Sequence, residues 1–386
     1  MKDNHCGFVE KGIRIRLYDY PTGLYANLKP CCHLNHELIP AHVSKSVKID
    51  SPKDIMQLMP LQHFRDYFKD NDDLHPACLA CKNYEDKGID SPRIKLNRVT
   101  EYENYDINKL DVVLGNSCNL ACPFCSSTAS SLIDTLSSKL DKENRPESWI
   151  PLVNKTAEGS KNTSDVVAEI LKHYKVHTLK LLGGEPFLKE NWDKIADVID
   201  QDYGKDLRLE VTTNGTILND EIMSRLSKTK KAHLRISIDS VGNNYQFIRW
   251  PHSWKKMNKN IEYLKNNAHK YENISISVAN LVNIFNFEFL PEIEEYFWDV
   301  RHLVSYSCEI KPATHLQNYQ NLPDHIINKI KGQLKSTELC NTLKTASFNH
   351  SKESLKREFD VLLAQRKMKA VDVIGPMTRE YFGLDN

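Results

Sequence analysis

Three cysteines in one short run, Asn116-Ser-Cys118-Asn-Leu-Ala-Cys122-Pro-Phe-Cys125, carry the most specific chemistry in this chain. Thiolates are soft metal ligands. Three of them in one loop hold three irons of a cubane and leave the fourth iron open to a ligand, whereas an electron-transfer cluster closes every corner with a cysteine. A zinc reading would need a fourth ligand that this triplet does not contain.

A second group lies upstream. Cys6, the pair Cys31-Cys32 and the knuckle Cys78-Leu-Ala-Cys81 offer four or five thiols to a second site, suited to an iron–sulfur cluster or to zinc. The stretch from Pro21 to Cys32 reads as a hairpin that delivers the cysteine pair, and the knuckle ends a helical stretch. His33 and His36 keep the zinc alternative open, although they read first as exposed loop histidines. Cys308 reads as a small buried hydrophobe, and Cys340 as part of a helical tail with no role. Ten cysteines in 386 residues, seven of them in tight groups and with no secretory layout in residues 1–8, point to metal rather than to disulfides.

These groups need a scaffold. From about Leu110 onward, short β-branched runs alternate with amphipathic stretches, which predicts a parallel sheet with crossover helices. Strands are expected at 110–114, 178–182, 208–213, 234–239, 274–280 and 303–310, and helices at 165–174, 192–202, 220–226, 254–267 and 287–298. The expected fold is α/β: a partial (β/α)6 barrel over 106–318, a small cysteine-rich α+β domain before it at 1–105, and a helical C-terminal extension at 319–386. The polar segment 139–164 reads as an inserted, partly mobile loop without chemistry.

Ligands of such sheets sit at the carboxyl ends of strands. The triplet follows the first expected strand, and Gly183-Gly184-Glu185-Pro186 follows the second. Thr213 and Asn214 end the third, Ser237 and Asp239 the fourth, and Asn280 the fifth. Glycines let a main chain approach a ligand closely, and a carboxylate accepts from an ammonium; the plainer role for each position is a turn or a cap. Tyr245, Trp250 and Trp254 near Arg249 read as packing aromatics.

Lys plus Arg (52) nearly balances Asp plus Glu (51), so charge names neither a nucleic acid nor an acidic partner. No stretch approaches the roughly 18 apolar residues of a spanning helix. A cytoplasmic protein without membrane or nucleic-acid partners is the expectation.

The C-x3-C-x2-C spacing, with Phe124 just before the last cysteine and Gly183-Gly184-Glu185 one βα unit later, resembles the radical S-adenosylmethionine (SAM) superfamily. The resemblance implies an enzyme whose Cys118, Cys122 and Cys125 ligate a [4Fe–4S] cluster that binds SAM and cleaves it reductively to a 5′-deoxyadenosyl radical, which takes hydrogen from an unactivated carbon. It further implies that Phe124, Gly183, Gly184, Glu185, Ser237, Asp239, Arg249 and Asn280 line the cofactor. In that set Glu185 serves the amino group of SAM, Arg249 its carboxylate through a bidentate fork, and Asn280 its adenine. An electron donor such as flavodoxin or ferredoxin and a peptide or small-molecule substrate follow from the same likeness.

The upstream cysteines resemble the auxiliary-cluster modules called SPASM and twitch domains, in the arrangement where the module precedes the barrel. Cys6, Pro30-Cys31-Cys32, Cys78/Cys81 and Ser91-Pro-Arg93 occur in the order found there, which implies a second [4Fe–4S] cluster. The alternatives are an RNA-modifying or methylthiotransfer radical enzyme, and a non-catalytic, zinc-stabilised binding protein.

Overall fold

The computed structural model describes residues 5–153, 162–300, 305–309, 317–344 and 350–384. The fold is α/β, with nine strands among the described residues. The chain divides into two compact units, one made of 1–115, 154–211 and 224–232 and the other of 116–153, 212–223 and 233–386.

In the first unit the strands run in the order β3-β2-β1-β4-β5-β6. β1 (Gly12–Tyr20) and β2 (Gly23–Lys29) form an antiparallel hairpin, with β3 (Val47–Lys48) on its outer edge. β1 then pairs in parallel with β4 (Ile107–Val113), which pairs in parallel with β5 (Val176–Leu182), and β5 with the start of β6 (Arg208–Thr213). The alternation that makes β1 a strand is plain in the burial: Ile13, Ile15 and Leu17 are inside, with Arg14 and Arg16 between them. Arg14 stands in register with Asp111 of β4 and pairs with it at 3.1 Å. Helices Thr163–His173 and Lys189–Ile199 bury Val167, Ile170, Ile195 and Ile199 on one face each, the stripe that a 3.6-residue period provides.

The second unit holds most of β7 (Lys231–Ser237), with β8 (Ile274–Leu281) and β9 (Ser305–Glu309), the last two parallel. Helix Trp254–Asn267 starts where the side chain of Ser253 accepts from the Lys256 N–H at 3.3 Å.

Several expectations shift. β2 lies within the stretch expected to be a hairpin, but its partner β1 was not anticipated as a strand, and β1 extends the parallel sheet. The segment expected to be a loop without chemistry contains Trp149, fully buried, within its described part. Of the strand expected at 303–310, only 305–309 falls within the described residues. The side chain of Cys308 lies outside them. Helices cover most of 324–384, as expected. No described helix is long and apolar enough to cross a membrane.

Candidate active site

The cysteine loop opens the second unit. Asn116 fixes its start by donating to the Ser127 carbonyl at 3.0 Å, while the Asn116 carbonyl accepts from Ser131 N–H at 2.7 Å. The main chain of Cys118 is held by the Ser131 hydroxyl at 3.3 Å. Cys122 is buried, with Cys118 and Cys125 half-buried. Burial pushes the thiols of Cys122 and Cys125 up, Cys125 to about 12 with Cys122 adding to the shift; Arg249 opposes the rise at Cys122.

Arg249 is 8% exposed and Asp239 1%, and the two form a salt bridge. The same guanidinium donates to the Cys122 sulfur at 3.7 Å and stands 5.6 Å from the centre of the Phe124 ring. Burial works against its charge, but Asp239 and Cys122 outweigh burial and hold it firmly protonated. Asp239 also accepts from the Leu281 N–H at 2.8 Å. Arg249 and Asp239 therefore reach the cysteine loop as one ion pair, which sequence reasoning treated as two separate contacts. Replacing Asp239 with Asn leaves a buried guanidinium without its counter-charge; the expected loss is about 3 to 5 kcal/mol, read from urea unfolding of anaerobic protein. An unchanged midpoint would show that the pair does not matter to the fold.

Asn214 brings the end of β6 to the loop. Its amide donates to Asn119 at 2.8 Å and lies 3.9 Å from the Cys118 sulfur. Asn214 was not among the residues expected to line the cofactor, whereas Ser237 was, and for Ser237 no contact to the cysteine loop is seen among the described residues. Asn280, expected at the adenine, is fully buried with its amide on the Ile238 carbonyl at 3.3 Å and its carbonyl facing Asn286. This is the bonding of a sheet-end network.

Three residues escaped the sequence reading because their targets are main-chain carbonyls far away in the chain. The Ala121 carbonyl accepts from Arg366 at 2.9 Å, that of Cys122 from the Trp149 indole at 3.3 Å, and that of Pro123 from Gln317 at 2.8 Å. Burial pulls Arg366 down to about 9, opposed by Cys122 and Glu358.

In the first unit, Gly183 and Gly184 follow β5 with positive φ values of 83° and 51°. A Cβ on Gly183 would come within 2.7 Å of a Val113 methyl group, so only glycine fits this turn. Glu185 is buried and takes the Phe187 N–H on its carboxylate at 3.1 Å.

The upstream thiols also lie in this unit. Cys6, Cys31 and Cys78 belong to one apolar cluster with Val9, Leu34, Phe64 and Ala77. Burial pushes Cys6 to about 11 and Cys78 to about 12, with nearby thiols adding to each; Cys31 rises from burial and from Cys6 and Cys78. Cys81 is raised by burial against donors from Arg93 and Ser91. Cys32 is exposed, while the other four thiols are buried or half-buried. Arg93 ties the segments together: it donates to the His5 carbonyl at 2.9 Å and pairs with Glu85, which closes the helix carrying Cys81. The Asn35 N–H reaches the Ala77 carbonyl at 2.8 Å, joining the cysteine pair's loop to the knuckle. His36 contacts Lys29, and His33 is exposed. Among the described residues no three His, Cys, Asp or Glu side chains gather closely enough to share one metal ion.

The donor chemistry of the triplet, three soft thiols in one loop, suits an iron–sulfur cluster. The triplet is a thiol set flanked by buried guanidiniums, of which Arg249 has a buried Nε without a partner, and fixed positive charge suits a set of anionic thiolates.

Residues 112–289 match the family model described as the Radical SAM superfamily. The chain is similar to a probable GTP 3′,8-cyclase of Methanocaldococcus jannaschii, at 25% identity over 58% of this chain and 67% of that protein. It is similar to an AdoMet-dependent heme synthase of Methanosarcina barkeri, at 28% identity over 51% and 52%. Across the curated relatives matched, the aligned portion runs from 33% to 68% of the relative's own length. Among solved structures, native anSMEcpe with bound AdoMet aligns at 14% identity over 65% of this chain and 57% of that one, with a TM-score of 0.36.

Proposed function

Because this chain belongs to the radical SAM superfamily and is a radical SAM enzyme using a [4Fe–4S] cluster and SAM, we propose that it abstracts hydrogen from an unactivated carbon of a peptide or small metabolite. The observation that carries this reading is the loop 118–125, which holds three thiols and where the Cys122 sulfur meets a buried Arg249–Asp239 pair. When bound, the cluster and SAM supply reductive cleavage of a sulfonium and a 5′-deoxyadenosyl radical.

The chain's own residues bind, orient and shield. Cys118, Cys122 and Cys125 are the cluster ligands. Arg249 places a cation beside Cys122, and Asp239 fixes its fork. Phe124 covers the guanidinium face and excludes water from it. The positive φ of Gly183 and Gly184 sets the turn that carries Glu185, the residue read as the acceptor for the SAM ammonium. Asn214, rather than Asn280, is the better candidate for a polar contact near the ligands.

The four buried or half-buried upstream thiols, Cys6, Cys31, Cys78 and Cys81, are the ligands of an auxiliary [4Fe–4S] cluster in this reading. Four-cysteine ligation closes every iron, which suits electron relay rather than substrate binding. A low-potential donor such as flavodoxin or ferredoxin completes the system. The names of the curated relatives, GTP cyclase and heme synthase, support the small-metabolite arm. The test is anaerobic reconstitution with iron and sulfide followed by dithionite and SAM: 5′-deoxyadenosine and methionine are expected by mass spectrometry, and intact SAM from a cluster-loaded protein would refute the reading.

A further inference from the structure

We propose that the C-terminal helix Lys352–Arg366 is part of the active site: Arg366 is a positioning residue that clamps the cysteine loop and holds a fixed positive charge beside Cys122. The inference rests on the triplet carrying the cluster. Sequence alone gave this helix no chemistry, and a surface cap would present its arginine to water.

Arg366 is instead 5% exposed. Its Nη2 donates to the Ala121 carbonyl at 2.9 Å, Nη1 donates to the Phe247 carbonyl, and the guanidinium lies 4.8 Å from the Phe247 ring centre. Its Nε is buried without a partner. Two turns earlier on the same helix, Glu358 accepts from the Gln317 amide at 3.0 Å and from the Glu147 N–H at 3.1 Å. That Gln317 amide also donates to the Pro123 carbonyl. The helix thus grips the residues on both sides of Cys122, directly through Arg366 and through Glu358 and Gln317.

A guanidinium remains charged in a protein interior, and an interior cation needs a nearby negative charge. Glu358 is one such partner, but burial pushes its carboxyl toward the neutral form. Cluster thiolates are the other. Each electron added to a cluster deepens its negative charge, so a fixed cation close by favours the reduced form and eases reduction of the cluster that handles SAM.

The experiment is an EPR-monitored redox titration of the full, anaerobically reconstituted chain, following the reduced signal that responds to SAM. Arg366→Gln keeps donors for the carbonyls but removes the charge, whereas Arg366→Lys keeps the charge but loses the fork. At a fixed potential the reduced-to-oxidised ratio should fall about tenfold in Arg366→Gln, equivalent to about 59 mV for one electron, with Arg366→Lys staying close to wild type. Equal shifts in both variants, no shift in either, or loss of iron from both would overturn the proposal. A wild-type chain lacking any SAM-responsive signal would instead refute the reading of the triplet, so the two failures are told apart in the same experiment.

Discussion

Cys122→Ala is expected to reduce formation of 5′-deoxyadenosine from SAM to the level of an enzyme-free control. Cys122 is the buried member of the triplet, and its sulfur faces Arg249 at 3.7 Å. Losing one of three cluster ligands removes the iron that makes the fourth corner useful. The fold should survive. Deleting a sulfur atom from a buried position costs on the order of 1 kcal/mol, small beside a typical stability of roughly 5 to 15 kcal/mol. Loss of product with an unchanged circular dichroism spectrum and a thermal midpoint lowered by no more than about 2 to 4 °C therefore reports on ligation and not on unfolding. Undiminished product would mean that the triplet does not hold the cleaving cluster.

The paired variant Cys78→Ala with Cys81→Ala is expected to separate the two sites. Iron in the reconstituted protein should fall from about eight to about four per chain, the difference of one cubane. SAM cleavage should persist at least in part, because Cys118, Cys122 and Cys125 are untouched, while turnover of the true substrate should end. Cys81 is buried within reach of donors from Ser91 and Arg93, and Arg93 is bonded to the main chain beside Cys6. Removing the knuckle thus disturbs an apolar cluster that also contains Cys6 and Cys31. Equal loss of SAM cleavage and turnover would make the upstream site structural.

Much of the scaffold was legible because β-branched runs and amphipathic stretches alternate on a short period. Expected strands at 110–114, 178–182, 208–213 and 274–280 overlap β4, β5, β6 and β8 closely, and the expected helix 254–267 coincides with Trp254–Asn267. β1 was missed although Ile13, Ile15 and Leu17 alternate with Arg14 and Arg16. Its parallel partner β4 is distant in the chain, and no local signal announces a long-range pairing.

The sites divide along the same line. Thiols cluster by spacing, so both groups could be found from the chain alone. Which of Cys31 and Cys32 turns inward could not, because adjacent residues differ only once the end of the hairpin is fixed. Ser91-Pro-Arg93 was visible as a motif, but its work, binding Glu85 and the His5 carbonyl, depends on packing. Trp149, Gln317 and Arg366 left no trace because a main-chain carbonyl accepts from any donor that the fold brings to it. Arg249 was assigned to a SAM carboxylate, while the structure gives it Asp239 as partner. A charge pair across ten residues of chain has no signature when both members also suit ligand binding.

The central claim is that Cys118, Cys122 and Cys125 leave one iron open to SAM. It is tested most directly by the low-temperature EPR spectrum of dithionite-reduced wild-type protein recorded before and after SAM is added. A reduced [4Fe–4S] signal that changes shape on SAM addition, and is absent from Cys122→Ala, is the predicted result. A spectrum indifferent to SAM, or a triplet occupied by zinc, would contradict it.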